Sequence, residues 1–79
     1  MTYLITFHTH FDALSLMKYA KTAGTATMKP VPRQLSSSCG TCVLFTPAQP
    51  DALQELEQKN IEKIYRLTET GYELVCEKE

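Results

Sequence analysis

"TYLITFHTHFDALSLMKYAKTAG", residues 2–24, changes its hydrophobic period partway along. Residues 2–8 are β-branched and aromatic, the composition of a strand. From Thr9 onward the apolar residues Ala13, Leu16, Met17, Ala20 and Ala23 recur at helical spacing and mark one face. Thr9 with Asp12 three residues on resembles a capping box, with Asp in place of the longer Glu. Gly24 is a stop signal, and Lys18 and Lys21 lie toward the helix C-terminus, where cations are favoured. A strand that turns at once into a helix is the first half of a β-α-β unit.

Working outward, residues 25–31 suit a second strand, with Pro30 and Pro32 placing it at an edge or ending it. "RQLSSSCGT" reads as loop and "CVLFT" (42–46) as a buried strand. Pro47 and Pro50 suit the first turn of a second helix capped by Thr46 or Gln49. Leu53 and Leu56 set its face, and it ends near Asn60. Residues 61–68 form a fourth strand. Residues 71–77 alternate and can pair with it as a hairpin around Glu69, Thr70 and Gly71. The order β-α-β-β-α-β predicts an α+β, ferredoxin-like fold. Two right-handed crossovers place both helices on one face of an antiparallel sheet, with an extra C-terminal strand available.

Seventy-nine residues make a single domain, 1–79. Such a chain buries only ~60% of the surface its unfolded form exposes, so its core is small. The composition, 43% hydrophobic and 22% charged, is that of a globular protein. The net charge of −1 hides a split. Residues 1–50 set Lys18, Lys21, Lys29 and Arg33 against Asp12, for +3. Residues 51–79 set Lys59, Lys63, Arg66 and Lys78 against eight acids, for −4. A half at +3 without a basic stripe and interleaved aromatics does not predict nucleic-acid binding. The N-terminus lacks a basic n-region, and no stretch approaches a membrane span, so a cytoplasmic protein is expected. There, three cysteines are not a disulfide framework.

The topology bears on "PVPRQLSSSCGTCVLF" (30–45). If strand three runs back between strands one and two, its start shares a sheet edge with the end of strand one and the start of helix one. Residues 7–12 then lie close to residues 37–42, and Cys39 lies near a helix N-terminus, an environment that favours a thiolate. Several readings are open. Cys39 and Cys42 can form a C-x-x-C redox pair, although a strand rather than a helix follows Cys42, which removes the usual thioredoxin mechanism. Cys39, Cys42, His8 and His10 make a conceivable zinc set, but H-x-H is short for a structural site, and no metal or other cofactor is expected. Cys39 can be an exposed nucleophile among small polar residues, or an incidental cysteine in a serine loop. Cys42, at the head of an apolar run, fits a buried core position, and so does Cys76. No phosphate loop or serine-elbow motif is present.

The segment "PVPRQLSSSCG" (30–40), preceded by "HTHFDALSLMKYAKTAG" (8–24) and followed by "CVLF" and "IYRL", resembles the selenium/sulfur (Se/S) carrier-like family of small bacterial domains. In that family a helix beginning T-H-x-A-L precedes a P-x-P-R-x-[IL]-S-S-x-C-G segment. The likeness spans roughly residues 3–68. It implies that Cys39 is the carrier thiol, with Arg33, Ser37, Ser38 and Gly40 as motif partners. Thr9, at the shared helix start, joins the binding candidates. The implied role is a carrier more than a turnover enzyme. It moves sulfane sulfur or selenium from a donor, a cysteine desulfurase or selenocysteine-lyase-type protein, to an acceptor protein. Cys42 departs from the signature; a thiol there could attack a persulfide on Cys39, release the chalcogen and leave a disulfide. The alternatives are a thiol-disulfide module of Cys39 and Cys42 and a non-catalytic interaction domain. An uncovered sheet face in a domain this small also suits a homodimer.

Overall fold

The computed structural model describes residues 1–35, 37, 39–49 and 51–78. Its elements are β1 (Tyr3–Thr6), α1 (His10–Ala23), β2 (Gly24–Pro30), β3 (Thr41–Pro47), α2 (Asp51–Leu56), β4 (Lys63–Thr68) and β5 (Gly71–Glu77). The strands form one sheet in the order β2-β3-β1-β4-β5, and every neighbouring pair is antiparallel. This is the ferredoxin-like arrangement, with β5 added as a fifth strand outside β4.

The helix start is made as the sequence suggests. Thr9 is extended, and its Oγ1 accepts from the Asp12 amide at 3.1 Å. The return bond of a full capping box is not made between these two residues, because the Asp side chain is one methylene short of the Glu that usually makes it. Ala13, Leu16 and Ala20 are buried, with Met17 and Ala23 partly so, which is the face drawn from the sequence.

Gly24 ends α1 for a different reason from a left-handed cap. Its backbone is extended and begins β2 directly, with no connecting loop. A Cβ at this position would stand 2.2 Å from the Thr46 carbonyl oxygen and 2.9 Å from the Pro47 Cα. The helix terminus can therefore press against the end of β3, and Ala48, the residue just after that strand, bonds the Ala23 carbonyl through its N–H at 2.8 Å.

α2 is shorter than its sequence pattern. Pro47 closes β3 opposite Gly24, and Thr46 lies within that strand, so neither starts the helix. Gln49 supplies the first carbonyl, accepting from Ala52 N–H at 3.2 Å, while Pro50 lies outside the described residues. After Leu56 the amides of Gln58 and Lys59 bond three residues back, tightening the chain into turns.

The core lies between the sheet and the two helices. Ile5, Val43, Phe45 and Ile64 point from the sheet toward Ala13, Leu16, Ala20, Ala52 and Leu56, with Phe7 and Ile61 in the same cluster. The alternate residues of β1 and β3 face the side that carries no helix. Even there Leu4, Thr6 and Cys42 are buried. Leu44, Leu67, Tyr72, Pro30 and Pro32 stand around a shallow cavity of about 270 Å³ on that face. The β4–β5 register shifts at Ile64 and Tyr65, which pair with Cys76 and Leu74. Val75 is the extra bulge residue and is exposed.

Candidate functional site

The loop between β2 and β3 carries the cysteine of interest and is closed on itself. Val31 N–H donates to the Gly40 carbonyl at 3.0 Å, joining its two ends, and Leu35 N–H donates to the Pro32 carbonyl at 3.0 Å in a turn at its tip. Gly40 takes a left-handed φ of 73°, with open space where a side chain would stand, so its glycine is required by the backbone turn and not by crowding. Ser37 Oγ donates to the Phe7 carbonyl at 3.0 Å. That bond ties the loop to the end of β1, two residues before the α1 cap. The expected approach of the two segments is made at Phe7 and Ser37, with Thr6 directly opposite Cys42 in the sheet.

Cys39 sits at the end of this loop, half-buried and free. Its Sγ–H donates to the Thr41 carbonyl at 3.3 Å, and its side chain packs against the helix-side core. Cys42, three residues later, belongs to the opposite side of the sheet. It is 1% exposed, and its thiol donates to the Pro30 carbonyl at 3.6 Å. Burial pushes the Cys42 thiol above its ordinary pKa, a negative charge on Cys39 pushes it further, and Lys29 across the ladder opposes both. A thiol held protonated and out of water is a poor nucleophile. Cys76, on β5, is half-buried; burial raises its pKa first and Glu57 second.

The remaining predicted residues are distributed around this loop. Arg33 is exposed in the turn after Pro32. Ser38 and Ser36 lie outside the described residues. Thr9 uses its hydroxyl to cap α1. His8 faces Glu62, with Nδ1 3.7 Å from Oε2, and His10 is the first residue of α1. Among the described residues no three His, Cys, Asp or Glu side chains are grouped to hold a metal ion, so the set of Cys39, Cys42, His8 and His10 is not assembled. No helix among the described residues is long and apolar enough to cross a membrane.

Two features escaped the sequence reading. Lys29 faces Cys42 because Met28 pairs with Val43, a register that no local pattern announces. Phe11 and Leu14 are exposed on α1, away from its buried stripe. That second signal was present in the sequence, as apolar residues out of phase with Ala13, Leu16 and Ala20.

No curated protein and no solved structure matches the chain. The family model described as "Putative Se/S carrier protein-like" matches residues 2–66, from β1 through most of β4 and across the whole Cys39 loop. On that match, the chain belongs to the Se/S carrier protein-like family.

Proposed function

We propose that the protein carries sulfane sulfur or selenium on Cys39. The observation that carries the reading is a free, half-buried thiol at the end of a hydrogen-bonded loop, within the segment that the family model covers. Such a loop holds its sulfur in place while leaving one side open to a second protein. The transfer needs no added oxidant. The Cys39 thiolate attacks the terminal sulfur of a persulfide on the donor. The donor's S–S bond breaks, a new S–S bond forms on Cys39, and the donor departs as a thiolate. The reverse attack by an acceptor thiol passes the atom on. Arg33, Ser37 and Gly40 belong to the loop that presents the sulfur, and Gly40 makes its turn.

The state of Cys42 weighs against a C-x-x-C redox module. Its burial and raised pKa oppose the attack on Cys39 that would expel the chalcogen. The test is intact-mass measurement after incubation with a cysteine desulfurase and cysteine, or with a selenocysteine lyase and selenocysteine. The expected product is a gain of one sulfur or selenium atom on wild type and on Cys42→Ser, absent on Cys39→Ala. Loss of the adduct in Cys42→Ser, or its persistence in Cys39→Ala, overturns the assignment.

A further inference from the structure

The eight cations divide sharply between the two halves of the chain. In the C-terminal half all four are engaged. Lys63 pairs with Glu77, Arg66 with Glu73, Lys59 stands 4.9 Å over the Tyr19 ring, and Lys78 bonds the Glu57 and Lys59 carbonyls. In the N-terminal half Lys18, Lys21, Lys29 and Arg33 are all exposed, and none has an ion-pair partner among the described residues. Fixed positive charge that the fold itself does not neutralise is available to a partner.

Two of these cations border an apolar groove. Lys18 and Lys21 stand with Phe11, Leu14, Met17 and Met28 around a depression of about 480 Å³ between α1 and β2. Phe11 is 74% exposed and Leu14 47% exposed, both larger than a soluble surface helix needs to present. The groove runs along α1, from Phe11 in the first turn, four residues after the Phe7 carbonyl that holds Ser37 of the Cys39 loop, to Lys21 in the last turn. Met28 is two residues from Pro30, Pro30 pairs with Thr41, and the Thr41 carbonyl receives the Cys39 thiol hydrogen. Met17, Met28 and Cys39 also pack against one and the same core cluster.

We infer that the α1–β2 groove is the docking surface for the protein that exchanges its chalcogen with Cys39, and that this partner presents an acidic, amphipathic segment. The role of the partner rests on the carrier reading above; the surface itself does not. Apolar side chains of the partner fill the groove over Phe11, Leu14 and Met28, and carboxylates meet Lys18 and Lys21. Charge complementarity of this kind speeds encounter and fixes orientation, and the apolar floor supplies the affinity. The same floor distinguishes the site from a nucleic-acid surface, which would need a longer cationic track.

The experiment is an NMR titration of the folded, reduced protein and of Cys39→Ser. The probes are a short amphipathic Leu/Glu peptide, its Leu/Lys counterpart and a single-stranded oligonucleotide. The Leu/Glu peptide is expected to shift amides of α1 and β2, to bind more weakly as salt rises, and to lose about tenfold or more in affinity with Lys18→Glu/Lys21→Glu or with Leu14→Ser. All three substitutions are at exposed positions, so the fold is retained. No binding of the Leu/Glu peptide, equal binding of the Leu/Lys peptide, shifts centred elsewhere, or tighter binding of the oligonucleotide each overturns the inference. The readout needs no adduct, so an absent Cys39 adduct counts against the carrier reading alone.

Discussion

β3 separates two environments within a few residues. Val43 and Phe45 point into the helix-covered face, with no exposure to solvent. Cys42 and Leu44 point to the face without helices, where Cys42 is buried and Leu44 keeps part of its side chain exposed. The two thiols divide in the same way, with Cys39, in the loop before β3, against the helix-side core and Cys42, in β3 itself, on the other side. Spacing by three residues therefore says little about whether two cysteines act as a pair. Strand alternation and the loop closure decide it.

The largest contrast between the faces is in stability. Phe45→Ala should cost about 3–5 kcal/mol, because it opens a cavity between sheet and helices that the backbone cannot fill. Leu44→Ala, one residue away, should cost less, roughly 1–2 kcal/mol, since its side chain borders the open cavity and is partly exposed before the change. Urea unfolding of both variants checks the ordering. Equal losses would mean that the uncovered face is packed as tightly as the covered one.

The ferredoxin-like order was legible because the period change at Thr9 and the apolar run at 42–46 are local signals, whereas the alternation after Gly71 was a weaker signal for the added strand, which nevertheless forms there. Gly24 was legible as a stop, yet its cause is a close approach to Thr46 and Pro47, which only the folded sheet supplies. The length of α2 was not legible. Leu53 and Leu56 set a helical spacing, but the turns after Leu56 and the capture of the Glu57 and Lys59 carbonyls by Lys78 come from a distant strand end. At the site, the burial of Cys42 could be read from the apolar run it begins. Its opposition to Lys29 and Thr6 could not, because register is a property of strand pairs.

The thiols offer a second, smaller contrast. Native protein treated with iodoacetamide should be alkylated at Cys39 roughly a hundredfold faster than at Cys42. Cys42 is buried and held protonated, so it reacts chiefly when the sheet opens. Peptide mapping by mass spectrometry over a time course measures the ratio, and guanidinium should bring it close to one. Comparable rates in the native state would break the distinction between the two sulfurs and restore the redox pair.

The finest test lies opposite Cys42. Thr6 has no exposure, and its Oγ1 has no hydrogen-bond partner among the described residues. A buried hydroxyl without a partner has given up its water bonds for nothing, a loss usually larger than the benefit of an average internal hydrogen bond. Thr6→Val keeps the branched shape that suits a central strand and removes the oxygen. The expected outcome is a gain of about 1 kcal/mol in unfolding free energy, with β1 still paired to β3 and β4. Position 6 points toward the face of Cys42 and away from the Cys39 loop, so loading of Cys39 should be unchanged. A loss of stability would show that Thr6 Oγ1 has a partner in solution. A change in Cys39 loading would show that the two sides of the sheet communicate through β1.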